Sequence, residues 1–490
     1  MKKYLNPISS AFYVFLNALS LFIVYKRLAD DLGMELFGIW SLVLTFNVSF
    51  PLFFNGFIGS FVRFIPEQLA KNELEELKDF VGTSLLIVGV TSSLLISLLY
   101  LAAPCVLIYL VSPTFSTLVH ETLEAILAFV FFSTAALTLF GILDGYNKVF
   151  VKNSALSIQS LVLLLATLVQ KEAFTFRTTA QLFMTASFFT FLLAFISLFL
   201  FTDFRPWNIL KWNLSQLKKT KAYHVQYFTS NLFGLLLEPL NKLLIILFAG
   251  ASAVALYEMS SKFVIQARTV LVSVVMSLIP LFSRKNIEAP HLLQTYYTVL
   301  FKINVMLSIF TFSVLAFLLT PLSIYWLGKL DALFIQLASI LIVGWFLNNL
   351  CLPAFMLNAA TSGIRLNTRT SMEILLIDAA AGILLGVLGA EEFVVLAWFI
   401  ALAYGGIQLT YRYNSQNNIS YKELISQSEM FQLLFIGVAI GAEFVLLHAY
   451  PSVRLETAAI ISFAAIAVLF GLLVLFNRRQ VQTMLAKVRK

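Results

Sequence analysis

Residues 8–28 read ISSAFYVFLNALSLFIVYKRL, an unbroken apolar run that carries no charge until Lys26 and Arg27 close it. About 20 such residues span a bilayer as a helix. A strand of a membrane barrel would alternate apolar and polar positions instead. The run is too long for the apolar part of a leader peptide and lacks a small-residue cleavage site, so it reads as a first membrane span. Similar runs follow near 37–58, 81–103, 122–143, 155–170, 180–202, 223–249, 252–281, 296–320, 333–358, 372–389, 393–411, 431–449 and 457–476. The expectation is an all-α polytopic membrane protein of about 14 transmembrane helices.

Composition agrees. Of 490 residues, 60% are hydrophobic and 12% charged, and mean hydropathy is +0.90. A soluble domain carries about 25% charged residues. Soluble enzymes, disordered chains and single-anchor proteins are excluded. The net charge of +8 belongs to membrane topology, with no nucleic-acid partner implied. Loops on the side of the N-terminus hold 23 Lys and Arg and the opposite loops hold 6. By the positive-inside rule both termini are cytoplasmic in a multi-pass cell (inner) membrane protein. Cys105 and Cys351 lie in apolar surroundings and are expected to be free thiols.

The chain repeats itself. A shift of 217 residues, with no gap, places Gly33 on Gly250, Trp40 on Tyr257, Pro104 on Pro321, Tyr109 on Trp326, Lys148 on Arg365 and Lys152 on Arg369. Spans one to five fall on spans seven to eleven. The organisation expected is two parallel-repeat six-helix lobes, 1–210 and 211–415, followed by two extra helices and a cytoplasmic tail, 416–490. Parallel repeats with short loops suggest a transporter whose lobes rock about a midplane site.

Charge inside a span is costly and marks function or pairing. Arg268 lies near the middle of the eighth span with no acid one turn away. Arg suits phosphate because its fork bonds two oxygens. Its alternative is a structural pair with Asp378 of the eleventh span, a residue that could equally exchange a proton or bind a cation. Lys262 follows Glu258 by four residues, a favourable ion pair or a cavity cation. Lys242 follows Glu238 by four, with Pro239 between them to kink the helix, so that pair is a hinge or coupling-ion site or a structural pair, with Lys242 a further candidate cation for substrate and Glu238 and Glu258 candidate coupling-ion or ion-pair acids. Lys26 and Arg27 snorkel at the outer end of the first span or form a cationic rim. Arg63 closes the second span. The stretch 63–80 reads as a solvated amphipathic helix. No Gly-rich Lys-Ser/Thr phosphate loop exists. His120, His224, His291 and His448 are scattered, so neither cofactor nor metal is expected.

The segment Leu32-Gly33-Met34-Glu35-Leu36-Phe37-Gly38-Ile39-Trp40 resembles a turn of Wzx-type polysaccharide flippases, within the multidrug/oligosaccharidyl-lipid/polysaccharide exporter (MOP) superfamily. The Gly56-to-Arg63 segment, Leu143-Asp144-Gly145, Asn241-Lys242 with Gly250 and Tyr257-Glu258, and Pro280-Leu281-Phe282-Ser283 are similar to further motifs of that family. The likeness covers roughly 8–165 and 225–370. The family often has Asp where this chain has Asn241. The resemblance implies a transporter, not an enzyme. It would move an undecaprenyl-pyrophosphate-linked oligosaccharide, such as an O-antigen unit of lipopolysaccharide, from the inner to the outer leaflet by alternating access. Partners implied are that polyprenyl lipid, membrane lipids and polysaccharide assembly proteins. Rival readings are a cation-coupled multidrug antiporter of the same superfamily and a membrane glycosyltransferase or polymerase. Asp30-Asp31 weakly resembles an acidic pair of membrane glycosyltransferases, but short external loops disfavour the enzyme.

Overall fold

The computed structural model describes residues 2–276 apart from 111–112, 206–207 and 209–211, then 293–360, 364–389, 394–420, 454–468 and scattered positions from 424 to 471. Helices carry these residues, and no strand occurs among them. In order they are α1 (Lys2–Ser49), α2 (Asn55–Ala70), α3 (Leu74–Leu110), α4 (Pro113–Glu121), α5 (Leu123–Gly145), α6 (Val149–Val169) and α7 (Phe176–Phe201). After these come α8 (Leu214–Met276), α9 (Leu293–Phe317), α10 (Leu319–Leu327), α11 (Ala332–Asn349), α12 (Leu352–Ala360), α13 (Ile364–Val387) and α14 (Val395–Gln416). A short apolar helix, Leu455–Val468, lies in the region of the last expected span. Nine helices among the described residues are long and apolar enough to cross a membrane, and two of these apolar stretches, Phe12–Ala70 and Leu232–Val272, run to 59 and 41 residues. At 1.5 Å per residue each exceeds a ~30 Å hydrocarbon core about twofold or more.

Both long helices are broken where the repeat predicts. Gly33 has φ 75° and ψ 164° inside α1, and Gly250 has φ 82° and ψ 176° inside α8. This backbone region is open essentially to glycine alone. A Cβ at either position would meet nothing within 4 Å, so glycine is required by conformation and not by space. Each break divides one helix into two arms, one for each expected span.

The 217-residue shift holds beyond the fifth span. It carries α6 to 366–386, inside α13, and α7 to 393–418, around α14, while α9 maps back to 76–100 within α3. Packing partners repeat as well. In the first copy α3 packs on α5, α5 on α7 and α6 on α7; in the second α9 packs on α11, α11 on α14 and α13 on α14. By contacts the chain forms two compact units, Met1–Pro239 and Leu240–Lys490.

Several boundaries differ from expectation. The second span does not end at residue 58. A 3-10 turn, Phe50–Phe54, with Pro51 near its start, interrupts it, and α2 then runs on to Ala70. Proline cannot donate the helical bond and forces such a break. The stretch 63–80 is therefore not one helix: it is the end of α2, a turn with Asn72 at φ 58°, and the start of α3. Arg63 lies within α2, two turns short of its end. The fifth span starts at Val149, six residues earlier than expected. Most of the expected span at 431–449, the tail beyond 471, His291, His448 and Pro280-Leu281-Phe282-Ser283 lie outside the described residues, as does the side chain of Cys105.

Inside each unit, small and polar side chains let helices pack where lipid offers no hydrophobic drive between them. Asn153 on α6 donates to Ser9 and Ser10 of α1, at 3.1 and 2.7 Å. The ring of Trp40, fully buried, packs against Phe129, Phe176 and Phe183. In the second unit the Tyr297 hydroxyl donates to Asn414 at 2.8 Å.

Candidate functional site

The second unit carries charge where the first carries none. Lys242 and Glu258 stand on the two arms of α8, each eight residues from Gly250. Eight residues are ~12 Å of helix, so the two side chains reach the same level, and they form an ion pair. Both are closed off, at 1% and 0% side-chain exposure. One turn further on, Lys262 approaches the other oxygen of Glu258 at 3.8 Å and is 20% exposed. The expected Glu258–Lys262 pair is thus present, and Lys242 has Glu258 as a partner from across the turn. Glu238 lies on α8 one turn before Lys242, partly buried.

Arg268 lies further along the same arm, 18 residues or ~27 Å from Gly250. The guanidinium carbon sits 4.2 Å from the centre of the Trp345 ring, and Nη2 donates to Asn348 Oδ1 at 3.4 Å. Nε is buried without a hydrogen-bond partner, and no ion pair joins Arg268 to a carboxylate among the described residues. A cation over an aromatic face gains about 0.5–2 kcal/mol. An Arg at a helix centre costs about 2.5–3.5 kcal/mol on insertion scales. The ring offsets part of that cost, and no carboxylate among the described residues neutralises the charge.

Trp345 and Asn348 belong to a broken helix. α11 stops at Asn349 and α12 restarts at Leu352, with Pro353 in its first turn. In the first copy the matching helix α5 runs unbroken, with Phe131, Phe132 and Ala136 at the places of Asn348, Asn349 and Pro353. Backbone freed inside a membrane must find partners within the protein. The Asn349 carbonyl accepts from Asn304 Nδ2 at 2.8 Å, and the Asn348 carbonyl accepts from Cys351 Sγ at 3.0 Å. Cys351 is a buried free thiol. Asn349 Nδ2 donates to Ser308 at 2.7 Å. Sequence reading missed this break; Asn348-Asn349 followed by Pro353 in an apolar run was its signal.

Asp378, on α13, is fully buried. Both its carboxyl oxygens lack a hydrogen-bond partner among the described residues. The structural pairing of Arg268 with Asp378 is not formed. Asn241, one residue before Lys242, is also buried, with both amide atoms unpartnered.

At the other cations the structure supplies partners that the sequence reading overlooked. Lys26 pairs with Asp30 at 2.8 Å and Arg27 with Asp31 at 2.7 Å. Asp31 also accepts from the Phe174 backbone at 2.9 Å, so it ties the end of α1's first arm to the connection before α7. These i,i+4 spacings were visible in the sequence. The Arg63 guanidinium lies 5.3 Å from the Phe64 ring. His224, at the start of α8, is buried, bonded to Ser60 of α2 at 2.7 Å, and packed 4.6 Å from Phe57. Glu373 holds Arg369 and Arg412 at 3.0 and 2.8 Å. Among the described residues no group of His, Cys, Asp or Glu could hold a metal ion.

The fold has solved relatives. A lipid II flippase, MurJ, in an inward closed conformation, matches over 97% of this chain and 99% of its own, at TM-score 0.74 and 14% identity. An inward-facing multidrug resistance MATE family transporter of the MOP superfamily matches over 82% of this chain and 96% of its own, at TM-score 0.65 and 13% identity. A MOP superfamily transporter from Pyrococcus furiosus, described as having a binding pocket of reverse polarity, matches over 86% and 94%, at TM-score 0.59 and 13% identity. No curated protein matches the chain. Residues 6–286 match the family described as polysaccharide biosynthesis protein. That match covers more than half of the sequence and agrees with the repeat, the glycine-broken helices and the flippase and transporter folds: the chain belongs to the polysaccharide biosynthesis protein family, on the fold of MOP-superfamily transporters.

Proposed function

We propose that this protein is a flippase that moves a polyprenyl-pyrophosphate-linked oligosaccharide, of the O-antigen or a similar repeat-unit class, from the inner to the outer leaflet of the cell membrane. It acts by alternating access and is not an enzyme. The observation that carries the reading is Arg268, a cation held by a ring and an amide with its charge unmatched by any carboxylate among the described residues. A guanidinium can bond two oxygens of a pyrophosphate at once. The sugar headgroup cannot cross hydrocarbon unaided, because burying unpaired hydroxyls costs several kcal/mol each. With both termini cytoplasmic, the second arm of α8 descends from an outer turn at Gly250, and Arg268 stands near the inner leaflet, at the depth where a pyrophosphate lipid starts. Lys262 and Lys242 extend the cationic path toward the midplane; Lys26, Arg27 and Arg63 are proposed as further substrate-binding cations of the first lobe. The lobes are 1–210 and 211–415, with 416–490 accessory.

A cation-coupled step is favoured by one observation. Asp378 is a buried carboxyl with two unpartnered oxygens, suited to a proton or a small cation. Glu238 and Glu258 are the other acids on hand. The test of the main reading is export: Arg268→Ala should abolish surface polysaccharide while the protein still accumulates in the membrane. Undiminished export would overturn it.

A further inference from the structure

A groove in the first unit separates α3 from the start of α5. Its volume is about 490 Å³, and ligand pockets run from about 300 to 1,000 Å³. Along α5 it passes from Glu124 by Leu127 and Ala128 to Phe131 and Phe132, which is ~12 Å of helix. Ser97, Tyr100 and Leu101 of α3 stand on the opposite wall. The groove opens toward lipid, because α3 beside it shows a continuous apolar row. Val90, Leu94, Leu98 and Leu101 are each more than half exposed, and such a row belongs against acyl chains.

The two ends of the groove differ in chemistry. Tyr100 and Glu124 lie near those ends of their apolar stretches, Leu74–Ala103 and Leu123–Gly145, that are joined through α4. This is the depth of headgroups, where Tyr is common. Both are exposed, and neither side chain has an ion pair or hydrogen bond with another described residue. Ser97 gives its proton to the Ser93 carbonyl at 2.9 Å, so its oxygen remains an acceptor. Deeper in, Leu127, Phe131 and Phe132 make the wall apolar. The scaffold does not require the polar end. Shifted by 217, Ser97, Tyr100 and Glu124 fall on Val314, Phe317 and Leu341, and Leu341 is fully buried. We infer that the groove is a binding site for a phospholipid with an ammonium headgroup. One acyl chain lies along Leu127, Phe131 and Phe132, the ammonium donates to the Glu124 carboxylate, and the Tyr100 hydroxyl donates to a headgroup oxygen. An anionic headgroup is repelled by Glu124, so this groove is not the path of the pyrophosphate lipid proposed above.

The test is native mass spectrometry of the full-length protein, delipidated in detergent and titrated with phosphatidylethanolamine or phosphatidylglycerol of identical chains. Wild type should retain the ethanolamine lipid about tenfold better, the size expected of a hydrogen bond to a charged group. Glu124→Gln keeps the shape and removes the charge, and it should retain the two lipids alike. Its melting temperature without lipid should equal that of the wild type, which separates loss of the site from loss of the fold. Ala128→Trp places an indole in the groove and should lower retention of the ethanolamine lipid with Glu124 still present. Equal retention of both lipids by the wild type, a preference that survives Glu124→Gln, or retention unchanged by Ala128→Trp overturns the inference.

Discussion

Lys242 and Glu258 stand eight residues before and eight after Gly250, and their side chains close on each other as a buried ion pair. The pair is a direct consequence of the glycine. A break at φ 82° turns one continuous helix into two arms, and residues at equal distances from it come level.

Breaking this pair from one side should cost more than removing it. Lys242→Met removes the close partner of the buried Glu258 carboxylate, and loss of one partner of a buried pair costs about 3–5 kcal/mol. The Lys242→Met/Glu258→Gln double variant should recover much of that. Thermal unfolding of detergent-purified protein checks the ranking. A double variant less stable than both single ones would contradict it.

The two turns make a matched prediction. Gly33→Ala and Gly250→Ala should each destabilise by about 1–3 kcal/mol, because an L-residue is strained there. Gly89→Ala, in the helical interior of α3 with nothing within 4 Å of a new Cβ, should be neutral or stabilising by up to ~1 kcal/mol. Equal melting temperatures for all three would remove the conformational argument.

The acidic pair on the first arm is structural. Asp31→Asn should lower stability by about 1–2 kcal/mol, since Asp31 carries both Arg27 and the Phe174 amide. Asp30→Asn, whose pair with Lys26 is half-exposed, should change stability by less than ~1 kcal/mol. Polysaccharide export should persist in both. Loss of export in folded Asp30→Asn would revive a catalytic role.

Much of the fold was legible because it obeys local rules. Apolar runs located the spans, and the 217-residue shift found Gly33 and Gly250, whose backbone then proved to be the same. The α2 extension to Ala70 was hidden because Glu67, Lys71 and their neighbours look solvated, and helix continues past the apolar run. The site was less legible. Lys262 and Glu258 lie one helical turn apart, a spacing legible in the sequence. Lys242 and Glu258 lie sixteen residues apart and meet only because the helix turns back between them. The break before Pro353 was missed because hydropathy stays high through Asn348 and Asn349.

Topology follows from charge alone. Reporter fusions after Lys490 and within 203–222 should both read cytoplasmic, as the 23-to-6 asymmetry of Lys and Arg requires. An external signal at either place would invert or break the assignment, and with it the depth given to Arg268.

The most direct test of the account is transbilayer movement of a pyrophosphate-linked oligosaccharide lipid in vesicles holding the purified protein. Wild type should move it. Arg268→Ala, inserted to the same level, should lose at least about tenfold in rate, and Arg268→Lys should recover only part, because an ammonium keeps the charge without the fork. Asp378→Ala added to Arg268→Ala should restore nothing, since the two residues do not pair. Wild-type rates in Arg268→Ala, or rescue by the second substitution, would contradict the claim that this arginine holds the substrate.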